Sequence, residues 1–441
     1  MAKTDGVFKR CGCKDTLTGR RLDRACPRLA ERGHGSWYFR CSASNALGGR
    51  ERVRHGGYQS RAAAVRAREE WLARTVEERT AGSWTLERWL RYWLSAHTAI
   101  RPTTRSSHTG YIEQFLIPHL GKVRLAELTS RHLNAAFTEI GKTHNRFGRP
   151  HSPCTLAHVR ATLRAALDAA VREGLIADNP ARRVELPTRV RPHAVVWSRP
   201  RIAEWRATGA RPAVAVWPAA LLARFLTHVK TDRLFALWWL IALRGLRRGE
   251  AAGLRWADLD LDRAEMTIAR ARTSVGYQVH EGPPKSAAGT RTVALDKWTV
   301  AILRGHDQQQ RAERAMAIAA GQRWHESGYV FTRTDGSPLH PDYLSHRFGK
   351  LAARHGLPPV RLHDLRHGAA SLAYTAGAEL KTVQDQLGHA SIVITADVYT
   401  SVLPQTQHRA AAATARLVLD ATAKLRGKLK RKRRRNRPDT P

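Results

Sequence analysis

Apolar side chains recur at helical spacing between residues 83 and 187. The first such run occupies positions i, i+3, i+4, i+7 and i+8 of a helix and consists of Leu86, Trp89, Leu90, Trp93 and Leu94. Thr85 precedes the run and is a candidate N-cap. A second helix carries Tyr111 and Phe115 after a Thr103-Thr104 cap, a third covers residues 130–140 and a fourth covers residues 154–174. The segment is therefore predicted to be a helical bundle.

Residues 1–80 show a different pattern, in which short strands precede one helix. Residues 37–40 and 50–58 alternate apolar and polar side chains and are predicted to be strands joined by a turn at Gly48-Gly49. Residues 60–80 are predicted to form a helix. This part is therefore expected to be a small α+β module that is basic and carries exposed aromatic side chains.

The second half of the chain begins with a segment rich in proline and arginine. Residues 188–217 are predicted to be a linker with a spacer helix over residues 201–208. Residues 218–415 are predicted to be mainly helical, with a small β-hairpin formed by residues 266–269 and 292–295. The basic tail, residues 416–441, is expected to be disordered because like charges repel. The predicted fold class is multidomain and mainly α.

The charge balance points to a polyanionic partner. The chain has 75 Lys and Arg residues against 37 Asp and Glu residues, a formal net charge of +38. Such a surplus attracts phosphates regardless of base sequence. The sequence contains no run of about 20 apolar residues that could span a membrane, and its first residues lack the apolar stretch of a signal peptide. We therefore expect a cytoplasmic, nucleoid-associated protein that binds double-stranded DNA and no membrane.

Four of the five cysteines lie in the first 41 residues, and their chemistry has three interpretations. Disulfides are disfavoured in a reducing cytoplasm. Cys11, Cys13, Cys26 and His34 could instead hold a structural zinc ion that stabilises a small module, with Cys41 as an alternative to His34. Free buried thiols are the third interpretation. The Cys-x-Cys spacing is tighter than the usual Cys-x-x-Cys, so the pattern alone leaves the choice open.

Several cations and one tyrosine recur in order through the second half of the chain. His363 and Arg366 lie three residues apart and would share a helix face. The other members of the set are Arg247, Glu250, Lys285, His389 and Tyr399. Arginine suits bidentate contact with phosphate, and a tyrosine delivered to a clamped phosphate is a candidate covalent nucleophile. We find neither a magnesium-type acidic cluster nor a phosphate-binding glycine loop beside them, so no catalytic cofactor is expected.

This ordered set resembles the tyrosine recombinase family, the phage-type site-specific integrases, over about residues 85–410. The resemblance implies that Arg247 and Arg366 clamp the scissile phosphate, with Glu250 supporting the pocket. Lys285 would protonate the departing 5′ hydroxyl, His363 and His389 would be the active-site histidines, and Tyr399 the nucleophile. It also implies an N-terminal arm-type DNA-binding module (1–80), a helical core-binding domain (83–187) and a catalytic domain (218–415).

The implied activity is site-specific cleavage and rejoining of DNA through a 3′-phosphotyrosyl intermediate. The family resemblance further implies a homotetramer on two synapsed attachment sites, with integration or excision of a phage, plasmid or conjugative element as the task. An excisionase and a DNA-bending host protein are candidate partners. Two alternatives stay open: a type IB topoisomerase, which uses similar chemistry as a monomer, and a non-catalytic DNA-binding regulator, which accounts for the charge but not for the ordered set.

Overall fold

Residues 6–16, 18–44, 50–73, 84–188, 192, 194–388, 415–416 and 419 are described by the computed structural model. Contacts divide the chain into two units, Met1–Arg189 and Val190–Pro441. Among the described residues, no helix combines the length and the apolar character needed to cross a membrane.

An antiparallel sheet in the order β1-β2-β3 forms the N-terminal part of the first unit. Its strands are β1 (Val7–Arg10), β2 (Ser36–Ser44) and β3 (Arg50–Tyr58), and helix α1 (Arg61–Ala73) packs against all three. Alternate residues of β2 supply the core, because Phe39 and Cys41 are buried. The two predicted strands are confirmed, and so is the predicted helix over residues 61–73; the predicted turn at Gly48-Gly49 and residues 74–80 lie outside the described residues. Strand β1 was not predicted, since four residues give too short an alternation to recognise.

A helical bundle follows, as its apolar periodicity predicted. Its helices are α2 (Leu86–Ala96), α3 (Pro102–Tyr111), α4 (Ile117–Leu120), α5 (Ser130–Lys142) and α6 (Pro153–Arg172). Thr85 caps α2 by accepting a hydrogen bond from the Arg88 amide. Trp89 is fully buried, and its indole N–H donates to Ala166 O at 2.9 Å, which ties α2 to α6.

Two details of the bundle differ from the expected helix ends. Helix α3 begins at Pro102 and not after a Thr103-Thr104 cap, because proline has a fixed φ and no N–H to leave unpaired at a first helical position. Between α3 and α4, residues Ile112–Leu116 form a π-helical turn. Pro118 cannot donate to the carbonyl four residues earlier, which accounts for a widened ladder at this place.

The second unit is mainly helical and builds its own apolar core. Its helices are α7 (Arg199–Thr208), α8 (Ala219–His228), α9 (Phe235–Arg244), α10 (Arg248–Gly253), α11 (Lys297–Ala319), α12 (Pro341–Arg354), α13 (Leu362–Thr375) and α14 (Leu380–Leu387). Short 3-10 turns in the chain are Asp23–Ala25, Pro27–Ala30, Leu125–Glu127, Pro180–Arg183, Trp256–Asp258 and Ala287–Gly289. Helix α9, which is apolar except for its last residue, Arg244, contributes Leu237, Trp238 and Leu240 to the centre of this core.

Small sheets border the helices of the second unit. The strands are β4 (Val195–Val196), β5 (Ala215–Val216), β6 (Leu259–Asp260), β7 (Glu265–Ile268), β8 (Ala271–Val275), β9 (Gln278–Gly282) and β10 (Arg291–Ala294). The predicted hairpin is confirmed, because β7 and β10 pair antiparallel with Met266 opposite Val293. A second hairpin, β8–β9, is inserted between these two strands.

The segment predicted as a linker is in large part a component of the second unit. Strands β4 and β5 pair in parallel, and each is followed by a buried tryptophan, Trp197 and Trp217. Their indole N–H groups donate to the carbonyls of Pro359 and Pro358, at 3.2 and 2.8 Å respectively. The interpretation of residues 194–217 as a linker is therefore wrong. Proline and arginine content suggested an open segment, but buried aromatic area anchors it.

Replacing Trp197 by alanine should lower the free energy of unfolding of the second unit by about 3–5 kcal/mol, because a large side chain leaves a packed core. The matched control is Trp298→Ala, since Trp298 is 66% exposed and its loss should change the stability by about 0.5 kcal/mol or less. Urea denaturation followed by circular dichroism measures both. Equal, small effects of the two substitutions would show that the segment does not anchor the unit.

Candidate functional site

Arg247 is placed by the sharp turn between helices α9 and α10. Helix α9 ends at Arg244, and the next residue, Gly245, caps it with a left-handed φ of 68°. A Cβ at Gly245 would lie 2.5 Å from the Leu387 side chain, so only glycine lets the turn approach α14. Arg247 then occupies the N-cap position of α10 with its side chain 36% exposed. The turn therefore delivers this guanidinium to the C-terminal end of α14.

Glu250 lies in the first turn of α10 and is almost completely buried, at 2% exposure. Its carboxylate accepts a hydrogen bond from the Arg247 amide at 2.9 Å and one from the Arg247 Nη1 at 2.6 Å. Arg291, at the start of β10, donates to both carboxylate oxygens, at 3.2 and 3.0 Å. One carboxylate thus orients two guanidinium groups from distant parts of the chain.

Arg366 lies in the first half of α13 and is 2% exposed. Its Nη1 donates to Gly245 O at 2.6 Å, and its Nη2 donates to Leu387 O. Arg247 Nη2 donates to the neighbouring Gly388 O at 2.9 Å, and Arg291 Nε donates to Gln386 O at 2.6 Å. Three guanidinium groups therefore bind three consecutive carbonyls at the end of α14, where a helix leaves carbonyls without intrahelical partners.

The charges of this cluster do not cancel. Burial raises the pKa of Glu250. The hydrogen bonds and positive charge of Arg291, and after it those of Arg247, lower the pKa by more than burial raises it, so it lies below its usual value. The carboxylate therefore stays ionised and offsets one of three positive charges. Two positive charges remain near the backbone of Gly388, in surroundings where low polarity strengthens their field.

His363 lies one turn before Arg366 on α13, as the spacing predicted. Although it is accessible from solvent, the protein around its ring desolvates the imidazole, and His367 and Arg366 add positive charge, so that the pKa of His363 falls to about 4. The His367 ring stands edge-on to it at a centroid distance of 5.3 Å. At neutral pH His363 is uncharged and able to accept a proton.

Lys285 lies in the exposed loop between β9 and β10. Among the described residues, it forms no hydrogen bond or ion pair with Arg247, Glu250 or Arg366. The loop nevertheless approaches the cluster, because Ala288 O would be 2.5 Å from a Cβ built on Gly388. The structure therefore brings the backbone of the loop that carries Lys285 to the end of α14.

Two predicted site residues, His389 and Tyr399, lie outside the described residues. The preceding residue, Gly388, has a left-handed φ of 65° and ends α14. The position from which the chain continues toward His389 is therefore fixed by the arginine cluster.

A separate group of candidate ligands lies in the N-terminal module. The ligand atoms of Cys11, Cys13, Cys26 and His34 are all within 4.8 Å of one another. Cys13 Sγ and Cys26 Sγ lie 3.4 and 3.6 Å from His34 Nε2. A tetrahedral zinc site with ordinary bond lengths has S···N separations of about 3.5 Å, so the donor set fits this ion. The structure brings together the four predicted residues, and Cys41 lies apart from them in β2.

Residues 221–406 match the family model described as the phage integrase family. The tyrosine recombinase XerC-like protein of Caldanaerobacter subterraneus subsp. tengcongensis is 34% identical over 186 residues, which are 40% of this chain and 48% of the relative. The integrase of Mycobacterium phage L5 is 26% identical over 319 residues, 71% of this chain and 74% of the relative. Over residues 221–406, which are less than half of its length, the chain is similar to members of the phage integrase family. It spans about half the length of the XerC-like relative.

Solved structures share the fold of this chain. The Tn1549 transposon integrase, in complex with transposon right end DNA, superimposes with a TM-score of 0.58 at 17% identity, covering 76% of this chain and all of that one. A second Tn1549 integrase complex, with a circular intermediate DNA, gives a TM-score of 0.57 at 18% identity over 76% and 99% of the two chains. At these identities the similarity concerns the fold.

Arg291 is the member of the arginine cluster that the sequence did not single out. It lies on the same face of β10 as the buried Val293, two residues further along. Its side chain is 7% exposed and is neutralised by Glu250. A charged residue on the apolar face of an alternating strand was the available signal, because such a residue requires a buried partner.

Replacing Glu250 by glutamine should destabilise the second unit by about 3–5 kcal/mol, because Arg291 would keep its buried charge without a counter-charge. Asp342→Asn is the matched control. Asp342 pairs with Arg248 at the surface, where both side chains are about 40% exposed, and its loss should cost about 1 kcal/mol or less. Urea denaturation measures both variants. A loss for Glu250→Gln no larger than that of the control would contradict the central role of this carboxylate.

Proposed function

We propose that the chain is a site-specific DNA recombinase, an integrase, that cuts and rejoins DNA through a 3′-phosphotyrosyl intermediate. The observation that carries the proposal is the meeting of Arg247 and Arg366 at the carbonyls of Gly388 and Leu387, immediately before His389. Fixed cations of this kind suit a phosphodiester whose non-bridging oxygens gain negative charge during substitution. The ordered sequence of the remaining residues, His389 and Tyr399, supports the same conclusion.

In the proposed reaction, the Tyr399 oxygen attacks the scissile phosphorus, and the bond from phosphorus to the 5′ oxygen breaks. The phenolic proton passes to His363, whose lowered pKa leaves the imidazole uncharged before DNA binds. The approach of a negative phosphate then favours the protonated imidazolium. Arg247 and Arg366 hold the non-bridging oxygens, and His389 donates a further hydrogen bond to them.

The departing 5′ oxygen receives a proton from Lys285. This step requires the loop between β9 and β10 to turn the ammonium group toward the scissile phosphate, and the approach of Ala288 to Gly388 gives the loop a short distance to cover. The phosphotyrosyl ester conserves the energy of the broken bond. A free 5′ hydroxyl from a partner duplex therefore reverses the reaction without a nucleotide cofactor.

Four protomers on two attachment sites would carry out this exchange one strand at a time, through a Holliday junction. Integration or excision of a phage, plasmid or conjugative element is the task that the integrase relatives support. An excisionase and a host protein that bends DNA would set its direction. Such a substrate places the protein at the nucleoid, in the bacterial cytoplasm.

The N-terminal module would read DNA with the face of its sheet that α1 leaves open. Tyr38 lies across Gly56, where a Cβ would be 1.7 Å from its ring, and Arg10 stacks over Tyr38 at 5.5 Å. The exposed Arg40 and Arg54 are direct cross-strand neighbours. A twisted sheet bearing cations and a flat aromatic ring is suited to a DNA groove.

Replacing Tyr399 by phenylalanine should abolish the covalent adduct with DNA and leave binding within about two-fold of wild type, because only the nucleophilic oxygen is removed. The substrate is a nicked duplex that carries the attachment core, which sequencing of element–chromosome junctions defines. Tyr343→Phe is the matched control, since Tyr343 is an exposed tyrosine on α12 and its variant should be trapped normally.

Trapping of the Tyr399→Phe variant would refute the assignment of the nucleophile. Binding of the wild type without trapping would instead indicate a DNA-binding regulator. Relaxation of a supercoiled plasmid that lacks attachment sites, by a monomer, would indicate a type IB topoisomerase.

The N-terminal module would also hold one structural zinc ion, with Cys11, Cys13, Cys26 and His34 as ligands. These residues lie at the end of β1, within the long β1–β2 connection and just before β2. A bound ion would therefore link both ends of the β1–β2 connection to the middle of that connection. Zinc supplies stability here and takes no part in the cleavage of DNA.

Purified protein should contain about one zinc ion per chain, and Cys13→Ser or His34→Ala should lose it, because a tetrahedral site needs all four ligands. Cys41→Ser is the control and should keep the metal. Elemental analysis after removal of loosely bound ions measures the content. Zinc-free wild-type protein, or equal loss in the Cys41→Ser variant, would contradict the proposed ligand set.

A further inference from the structure

The turn between helices α5 and α6 has a more defined conformation than an ordinary surface loop. His144 and Pro150 form a β-bridge, and the Asn145 amide donates to Arg149 O at 2.8 Å. The Asn145 side-chain oxygen accepts from the amides of Phe147 and Arg149, at 2.9 and 3.3 Å. Gly148 completes the turn with a left-handed φ of 68°. The conformation at the tip of the turn is therefore fixed by hydrogen bonds within the turn itself.

This fixed tip presents an aromatic ring to solvent. Phe147 is 72% exposed, whereas Phe115 and Phe137 of the same bundle are 7% and 3% exposed. The Arg146 guanidinium lies over the Phe147 ring, 4.7 Å from its centroid. At the base of the turn, the His151 ring packs edge-on against Phe115, with centroids 4.9 Å apart. The turn is thus anchored to the core at one end and exposes its largest apolar side chain at the other.

The charge around the turn has one sign. Residues 140–167 contain no Asp or Glu, although the chain as a whole has 37 of them in 441 residues. The same stretch carries five cations: Lys142, Arg146, Arg149, Arg160 and Arg164. Arg146 and Arg149 flank Phe147 and are exposed. A surface of this composition is complementary to a polyanion.

We propose that the turn 144–150 is a DNA-contact element that inserts Phe147 at a base step of the duplex. Arg146 and Arg149 bind the phosphates on either side, and the ring partly unstacks the step and bends the DNA. The inference rests on the proposed function, because it requires that the chain binds duplex DNA. It adds a residue that deforms the substrate, outside the unit that contains the arginine cluster.

Chemistry favours DNA over a protein surface as the partner. Apolar wedges that enter base steps are commonly Phe, Leu, Ile, Met or Pro, accompanied by cations that contact the backbone. Unstacking a step has a cost that additional phosphate contacts must offset, and Arg146 and Arg149 are placed to supply them. A fixed turn also lowers the entropy that is lost on insertion, because its conformation exists before binding.

The test uses the full-length protein and a duplex of about 40 base pairs that carries the mapped attachment core, with a fluorophore at each end. Phe147→Ala should weaken binding roughly ten-fold and reduce the bend measured by energy transfer between the ends, since stacking of one ring on a base contributes about this much. Phe147→Trp should restore both. Trp298→Ala is the matched control, because Trp298 is 66% exposed and also has a cation, Lys297, against its ring.

The paired variant Arg146→Gln with Arg149→Gln should reduce the dependence of log Kd on log salt by about two, one for each phosphate contact. Phe147→Ala should leave that dependence unchanged. The difference in salt dependence between the two variants distinguishes loss of ring insertion from loss of charge. Unchanged thermal unfolding of Phe147→Ala shows that its fold is intact.

Full bending and full affinity in Phe147→Ala, while the wild type binds and is trapped covalently, would overturn the inference and leave the proposed recombinase function standing. A defect of Phe147→Ala confined to the assembly of several protomers, with normal bending by one, would assign the turn to a protein contact and also overturn it. A wild type that neither binds nor becomes trapped would refute the proposed function itself.

Discussion

The ion pairs of the buried Glu250 carboxylate are the interactions on which the second unit depends. Glu250 holds Arg247 beside α10 and Arg291 at the start of β10, and these two guanidinium groups continue to the end of α14. Arg366 joins the same helix end from α13. A charge in this position is costly to bury unless it is paired and fully hydrogen-bonded. The pairing therefore specifies how α10, β10 and α14 meet, and the backbone contacts of Arg366 add α13 to them.

The same arrangement lets the protein fold around several cations while it keeps a positive site for an anion. Three cations at one place repel one another, and a single carboxylate reduces that repulsion without removing the positive field. The helix end contributes as well, because its carbonyls orient the guanidinium groups in the absence of any ligand. Groups that are fixed in advance need little reorganisation when charge develops on a phosphate, and this is the main source of electrostatic catalysis.

The sequence predicted those features that depend on periodicity or on the order of residue types. The stripe from Leu86 to Leu94 gave a helix and its buried face, and the β7–β10 hairpin followed from alternation. The four candidate zinc ligands of the N-terminal module lie together in the structure, although the spacing of the cysteines alone left three interpretations of their chemistry. Arg291 was not predicted as a site residue, because its role is evident only when Glu250, 41 positions earlier, is known to be its partner. The linker was misjudged because the burial of Trp197 depends on Pro359, which is 162 positions away.

The guanidinium contacts at the end of α14 also have a consequence for how substitutions there would be tolerated. All of them are made to backbone carbonyls, so a new side chain at Gln386 would leave its acceptor in place. Gly388 is different, because any Cβ there would lie 2.5 Å from Ala288 O and its φ is left-handed. The chemistry of the contact is the same at both positions, and only the space around the backbone makes one of them intolerant of change.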